Sequence, residues 1–400
     1  MRVTYGKSVH GEGEIKAVVQ VLRTSTQMGK NVEEFEKKVA ALFGKKYGIM
    51  VNSGSSALLL AMQLLDLSGG SEIITPALTF ATTVSAIVKN GLIPAFVDVE
   101  PDTFCIDVDK IESFITSKTR AVCIPNLIGN LPDWLKITHI CKKYKLKIIE
   151  DSCDTLGATV CGKSSGYYSD ISATSFYGSH IINCAGNGGM LCVNDPQLAR
   201  RARLLRSWGR SSSLFGKDSS EKIENRFDIK LDGIPYDAKF VFGEVGYNFE
   251  PSELGAAFGL VQLKKLGHNI STRIRNFNAH CRFFKKYDKW FVLPRQLPRV
   301  RTGWLAFPLI VKDTAPFTRT QLQIFLEKKD IQTRVVFTGN INRQPGFKNI
   351  SKRVIKGGYP NTDQAMRGGI LMGCHQGLTF DMIKHVHFSF TQFVEKFKYG

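Results

Sequence analysis

Between residue 31 and about residue 200 the apolar positions follow two alternating rhythms, a helical spacing and short runs rich in β-branched side chains. Val32 to Phe43 has the helical spacing and leads into the strand-like run Tyr47-Gly48-Ile49-Met50-Val51. The pattern then predicts a helix at Ser55 to Leu65, a strand at Glu72-Ile73-Ile74, a helix near Ala81 to Lys89 and a strand at Pro94 to Val99. It continues with a helix near Asp109 to Ile115, a strand at Ala121 to Pro125, a helix at Trp134 to Tyr144 and a strand at Lys147 to Asp151. Such alternation predicts an α/β fold, a mainly parallel sheet between helices with its site at the carboxyl ends of the strands.

Residues 194 to 210 read as one helix, and 211 to 246 as a polar, poorly periodic stretch. So long an irregular segment is usually functional or covers a site. Pro251 to about Lys286 reads as a long helix crossing between domains. The last third mixes strands and helices at Trp304 to Val311, Arg319 to Glu327, Gln332 to Phe337 and Leu378 to Phe397. The expected organisation is a large α/β domain over residues 1–265, with an N-terminal helical segment and the insertion 211–246. A smaller C-terminal α+β domain is expected over residues 266–400.

Composition narrows the class. A chain of 400 residues exceeds what one core usually serves, and 43% hydrophobic residues with 27 Phe exclude a disordered chain. No apolar run approaches the ~18 residues of a membrane span, and Met1 to Lys7 lacks the apolar segment of a secretion signal. A cytoplasmic protein is the expectation. The nine cysteines are odd in number and form no CxxC pair, so buried reduced thiols are expected and a zinc site is not. The charge of +19 suits an anionic partner such as a nucleotide-bearing metabolite. Basic residues cluster from Lys264 to Lys286, where their spacing equally fits the outer face of an amphipathic helix. No nucleic-acid module is recognisable, and no nucleic-acid partner is expected.

Three segments carry candidate chemistry. Asn52-Ser53-Gly54-Ser55-Ser56-Ala57 lies between a strand and a helix, where the first amides of the helix attract phosphate; Ser55 as an ordinary N-cap is the alternative. Glu150-Asp151-Ser152-Cys153-Asp154 ends an apolar strand and offers a carboxylate that can keep a pyridinium nitrogen protonated. Metal binding is its rival use, but the nearest histidine, His139, falls inside the preceding helix pattern. The third is Ser172 to His180, followed by a turn containing Gly186, Gly188 and Gly189. Taken singly, His180 reads as a satisfied structural histidine.

In this order, Ser-Gly-Ser-Ser-Ala near residue 55, Glu-Asp ending at 151, Ser-Phe-Tyr from 175 and Gly-Gly-Met from 188 resemble the DegT-type sugar aminotransferase family of fold-type I pyridoxal-phosphate enzymes. Thr75 to Phe80, Trp208-Gly209-Arg210, Gly246-Tyr247-Asn248 and Ala256 to Leu260 agree, so the resemblance covers nearly the whole chain. In that family the position five after Ser175 normally holds the lysine that binds the cofactor covalently. Here it is His180. An imidazole makes no stable Schiff base, but with an unperturbed pKa of about 6.5 it moves protons well. The exchange resembles a subgroup of nucleotide-sugar 3-dehydratases that includes GDP-4-keto-6-deoxymannose 3-dehydratase. Thr333 to Asn340, continuing to Pro345, looks like that subgroup as well. Its iron-sulfur branch carries closely spaced cysteines after Trp-Gly-Arg. This chain has Ser211-Ser212-Ser213-Leu214-Phe215 there and no Cys between Cys192 and Cys281, so no iron-sulfur cluster is expected.

The resemblance implies a homodimer with shared active sites and a noncovalent cofactor, pyridoxamine 5'-phosphate or pyridoxal 5'-phosphate. Gly54, Ser55 and Ser175 would hold the phosphate, helped by Asn248 of a second subunit. Phe80 would stack on the ring, Asp151 would pair with its nitrogen, and Asp154 would sit near its hydroxyl, where many members have Gln. Asn126 and Arg334 are substrate-binding candidates, with a domain-interface ion pair as the equal alternative for Arg334, and no metal is expected. His180 would act as acid and base in removing the C3 hydroxyl of a nucleotide-linked 4-keto-6-deoxyhexose, a step of 3,6-dideoxysugar biosynthesis for surface polysaccharide. An amino donor such as glutamate would restore the amine form. The competing expectation is a nucleotide-sugar aminotransferase with noncovalent cofactor.

Overall fold

The predicted alternation builds a seven-stranded sheet from β1 (Tyr47–Val51), β2 (Glu72–Pro76), β3 (Ile93–Val97), β4 (Thr119–Pro125) and β5 (Lys147–Asp151). A small pair follows, β6 (Thr159–Val160) and β7 (Lys163–Ser164), and then β8 (Ile171–Ser175) and β9 (Gly189–Val193) complete the large sheet. The order across it is β1-β9-β8-β5-β4-β2-β3. Pairing is parallel from β3 through to β8, and β9 runs against both of its neighbours. The computed structural model describes residues 1–214 and 226–397.

Successive side chains of a strand point to opposite faces, so a sheet covered on both sides needs nearly continuous apolar runs. Ile73, Cys123 and Ile149 enter the core shared with Ala57, Leu58, Leu60 and Leu64, which lie on the helix Gly54–Leu64. Ile74, Val122, Ile124 and Ile148 face Trp134, Ile137 and Ile140 on the helix Trp134–Lys143. Each such aliphatic side chain contributes about 1.5–3 kcal/mol on burial.

The expected helix near Asp109 to Ile115 is two short 3-10 turns, Val108–Lys110 and Glu112–Phe114. Asp107 caps the first through the Asp109 amide, and Ile115 already has extended backbone. The predicted helix 194–210 ends at Arg206, before Trp208 takes a left-handed φ of 59°. The insertion 211–246 is more ordered than its composition suggests. It holds the hairpin β10 (Ile229–Leu231) and β11 (Ile234–Tyr236), while its residues 215–225 lie outside the described residues.

The long helix Glu253–Phe284 runs unbroken past residue 265. Its first half, with Ala256, Leu266 and Ile270, packs with Phe35, Phe176 and Ile181. Its last turns bring Phe277 and Phe284 into the core of a second sheet. That sheet is antiparallel, in the order β12 (Phe291–Val292), β14 (Ala306–Val311), β16 (Gly369–Gly373), β15 (Thr333–Arg334); β13 (Val300–Arg301) instead joins β6. The predicted strand 332–337 shrinks to the two residues of β15 because the chain turns at Phe337, whose φ is 43°. The first residues of the chain also belong to this second unit. Val3 donates to the Asp330 carbonyl at 2.8 Å and accepts from the Gln332 amide at 2.9 Å. Among the described residues no helix is long and apolar enough to cross a membrane.

A buried ion pair ties the helix Lys30–Leu42 to β1 and to the helix Pro196–Arg206. Arg206 Nη1 reaches Glu36 Oε1 at 2.6 Å and the Met50 carbonyl at 3.0 Å, while the Met50 amide donates to Glu36 at 2.8 Å. Removing one partner strands the other charge in the core. Glu36→Ala is expected to cost about 3–5 kcal/mol, read as a lowered midpoint in urea unfolding.

Candidate active site

The site forms where strand ends converge. Because β9 runs antiparallel, its first residue, Gly189, pairs with both Val51 and Ser175, the last residues of β1 and β8. The approach is close: a Cβ on Gly189 would stand 2.2 Å from the Ser53 carbonyl oxygen. The carboxyl ends of β1, β5 and β8 thereby open on one cavity of about 410 Å³. It is lined by seven of the sequence candidates: Gly54, Ser55, Phe80, Asp151, Asp154, Ser175 and His180.

Ser53, not Ser55, caps the helix Gly54–Leu64, its hydroxyl accepting from the Ser56 amide at 3.1 Å. The amides of Gly54 and Ser55 have no acceptor among the described residues and stand at the positive end of the helix dipole. A Cβ on Gly54 would lie 2.7 Å from Ser175 Cβ and 2.8 Å from Cys153 Sγ, so only glycine leaves this cradle open.

Glu150 and Asp151 point to opposite faces of β5. Asp151 Oδ2 accepts from Thr83 Oγ1 at 2.7 Å and Oδ1 from the Cys153 amide at 3.1 Å. Burial raises its pKa, and these hydrogen bonds pull it partly back. Glu150 turns inward, into a sealed network with Ser152, Ser172 and Asn126. This corrects the expectation for Asn126. Its Nδ2 donates to Glu150 at 2.8 Å and Ser152 at 2.7 Å, its Oδ1 accepts from Trp134 Nε1 at 2.9 Å, and it is fully buried. It does not line the cavity described above, and its polar atoms are spent on supporting the β4–β5 corner.

His180 sits on the turn after β8 with Nδ1 3.2 Å from the Ser175 carbonyl oxygen. A carbonyl oxygen only accepts, so Nδ1 carries the proton and Nε2 keeps its lone pair. Burial pushes the imidazole down to about 4; the Ser175 bond opposes this and the Arg273 charge adds to it. At neutral pH His180 is therefore an uncharged base of one tautomer. Tyr177 meets its ring edge-on at a centroid distance of 5.9 Å.

Several cavity residues went unread in the sequence. Tyr5 arrives from the N-terminal strap, and burial keeps its phenol protonated. Phe337 meets the Phe80 ring edge-on at 6.0 Å, and the neighbouring Thr338 hydroxyl donates to the Thr79 carbonyl at 2.6 Å. Thr83, Cys153 and Asn187 complete the polar wall. Cys153 and Asn187 sit inside segments already singled out in the sequence, and Thr83 lies one helical turn after Phe80. Arg334 lies outside the wall, its guanidinium 5.5 Å from the Tyr5 ring centroid, and makes no ion pair among the described residues. Asn248 does not line this cavity; its backbone bridges to Ser207.

Open helix amides, a glycine cradle, a flat aromatic wall at Phe80 and a buried carboxylate suit a phosphorylated pyridine ring. No group of three or more potential metal ligands occurs among the described residues.

Asp154 carries a cost of its own. Its Oδ2 accepts from the Ile128 amide at 2.8 Å, yet burial, with the nearby Asp151 charge, raises its carboxyl to about 7. An acid whose folded pKa is raised destabilises the fold as pH climbs from its unfolded value toward the folded one. Asp154→Asn keeps an acceptor for Ile128 and removes the charge. It is expected to stabilise the protein by up to about 4 kcal/mol at pH 8, with the gain fading as pH falls toward 4, as measured by urea unfolding at each pH.

Residues 9–391 match the model of the DegT/DnrJ/EryC1/StrS aminotransferase family. The dTDP-4-dehydro-2,6-dideoxy-D-glucose 3-dehydratase of Saccharopolyspora spinosa is 35% identical, covering 98% of this chain and 86% of that protein. The GDP-4-keto-6-deoxy-D-mannose 3-dehydratase of Yersinia pseudotuberculosis is 31% identical over 95% of both. The E. coli GDP-4-keto-6-deoxy-D-mannose-3-dehydratase with bound hydrated PLP superposes with a TM-score of 0.88 at 28% identity, covering 97% of this chain and 100% of that one. A GDP-4-keto-6-deoxymannose-3-dehydratase with a trapped PLP–glutamate geminal diamine gives 0.84 at 28% identity, covering 97% and 99%. With the family model spanning nearly the whole chain and the cofactor-type cavity in place, this chain belongs to the DegT/DnrJ/EryC1/StrS aminotransferase family, on the α/β fold of its pyridoxal-phosphate enzymes.

Proposed function

We propose that the chain removes the C3 hydroxyl of a nucleotide-linked 4-keto-6-deoxyhexose, using pyridoxamine 5'-phosphate held without a covalent bond. The observation that carries this reading is His180, five residues after Ser175, in the cavity wall with Nδ1 bound to a carbonyl and Nε2 unprotonated. In this reading Gly54, Ser55 and Ser175 hold the phosphate, Phe80 lies on the ring, Asp151 keeps the ring nitrogen protonated and Asp154 lies near the ring hydroxyl. The bound cofactor supplies a primary amine that condenses with a ketone and a ring that accepts electrons. His180 Nε2 takes a proton from carbon and delivers it to the departing C3 oxygen; a neutral base that becomes an acid serves both halves. With no iron-sulfur partner, the product leaves as an enamine and hydrolyses to a 3,6-dideoxy-4-keto sugar and ammonia. Glutamate, trapped on the cofactor in a relative, is the proposed amino donor. The exposed guanidinium of Arg334, which makes no ion pair among the described residues, suits either its carboxylate or a substrate phosphate.

Anaerobic incubation of purified protein with pyridoxamine phosphate, glutamate and GDP- or dTDP-linked 4-keto-6-deoxyhexose is the direct test. Mass spectrometry should show loss of the C3 oxygen without any reductase. A product that keeps that oxygen and gains nitrogen at C4 identifies an aminotransferase instead. Borohydride should trap no cofactor on the native protein, whereas His180→Lys should become labelled.

A second copy of this chain completes the proposed site. The segment around β10–β11 exposes Ile234 (66%), Phe242 (58%) and Val245 (93%), a cost in water unless another surface covers them. Asn248, a few residues on, is the residue expected to reach a neighbour's phosphate. Sedimentation is expected to show a dimer, and Phe242→Glu to shift it toward monomer with loss of turnover.

A further inference from the structure

Arg273, in the middle of the long helix, is fully buried, and no carboxylate among the described residues pairs with it. Burying a cation without a counter-ion is costly, so its donors must be met by other oxygens. Nε donates to Gln376 Oε1 at 2.8 Å, and Nη1 to the carbonyls of Trp304 and Leu305 at 3.0 and 2.9 Å. Nη2 reaches the Ser179 carbonyl at 3.4 Å. Gln376 in turn donates to the Ile181 carbonyl at 3.2 Å, which also accepts from Asn269 Nδ2 at 2.9 Å. The residues on either side of His180 are thus held by side chains from the long helix and from the segment after β16.

We propose that Arg273, together with Gln376, is a positioning residue for His180, gripping the main chain on both sides of the imidazole and fixing it in the cavity wall. This rests on the reading of His180 as the proton carrier. A planar fork is suited to the task, since it can satisfy several carbonyls at fixed angles where an ammonium cannot. The fork also joins segments distant in sequence: the long helix that carries it, the His180 turn, and Trp304 and Leu305 just before β14.

Arg273 also shapes the electrostatics of the turn. The titratable groups around His180 are Tyr5 from the N-terminal strap, Asp151, Cys153 and Asp154 from β5 and its loop, Tyr177 from its own turn and Arg273 from the helix. Arg273 is the cation among them, and its field works with burial against protonation of the imidazole.

The test uses cofactor-free protein with labelled histidine, the His180 signal being identified by its absence in His180→Asn. The wild-type midpoint is expected at about 4. Arg273→Gln is expected to raise it by about half a unit or more and to lower kcat at least ~10-fold with little change in KM. Arg273→Lys keeps the charge but loses the fork, so the midpoint should stay and kcat should fall. Gln376→Ala should likewise lower kcat, and it carries the test with Arg273→Lys should Arg273→Gln fail to fold. Wild-type midpoint and kcat in Arg273→Gln, or wild-type kcat in both other variants, overturns the proposal. If the wild type turns over no 4-keto sugar, the dehydratase reading fails while the titration still judges the clamp.

Discussion

The reversal of one strand sets the geometry of the whole site. In a purely parallel sheet, the chain after β8 would have to cross over through a helix to begin the next strand at the opposite, amino end of the sheet. Here it turns back at once and enters β9 from the carboxyl side, so the turn 176–188 stays over the strand ends. That is why His180, the open amides of Gly54 and Ser55, and the carboxylates after β5 face one cavity. The same reversal presses Gly189 against the Ser53 carbonyl, which fits the backbone only because the position carries no side chain.

Within the cavity, burial acts on each ionisable group in the direction that disfavours its charge. His180 is held neutral and Asp154 is raised into the neutral range, while Asp151 is also raised but is met by two donors. His180, unprotonated at Nε2, thus shares the cavity with two carboxyl groups whose charged forms burial disfavours. The tautomer of His180 comes from a main-chain carbonyl rather than a carboxylate, so the base is oriented without its basicity being raised by a fixed negative charge.

Much of the seven-stranded sheet and its flanking helices was legible because these elements are long, periodic and buried on both faces of the sheet. β1 and β5, and the helix Ala81–Lys89, fall on the predicted residues. Departures occur where local chemistry competes with pattern. Asp107 caps a tighter turn than the spacing at 109–115 suggests, and a left-handed Phe337 stops β15 after two residues. Asn126 shows the same limit at the level of the site. A polar residue at a strand's carboxyl end reads as functional, yet the side-chain direction that sends it to Trp134 and Glu150 is decided by packing.

The sequence alone determined the order of elements, the family resemblance and the one imidazole on which the chemistry turns, because periodicity and short motifs are properties of neighbouring residues. The tertiary structure decided which distant groups share the cavity. Tyr5, Phe337 and Leu305 enter it from parts of the chain far apart in sequence, and Arg273 grips the His180 turn from more than ninety residues away. Such meetings follow from the closing of two sheets around one long helix, and no local spacing encodes them.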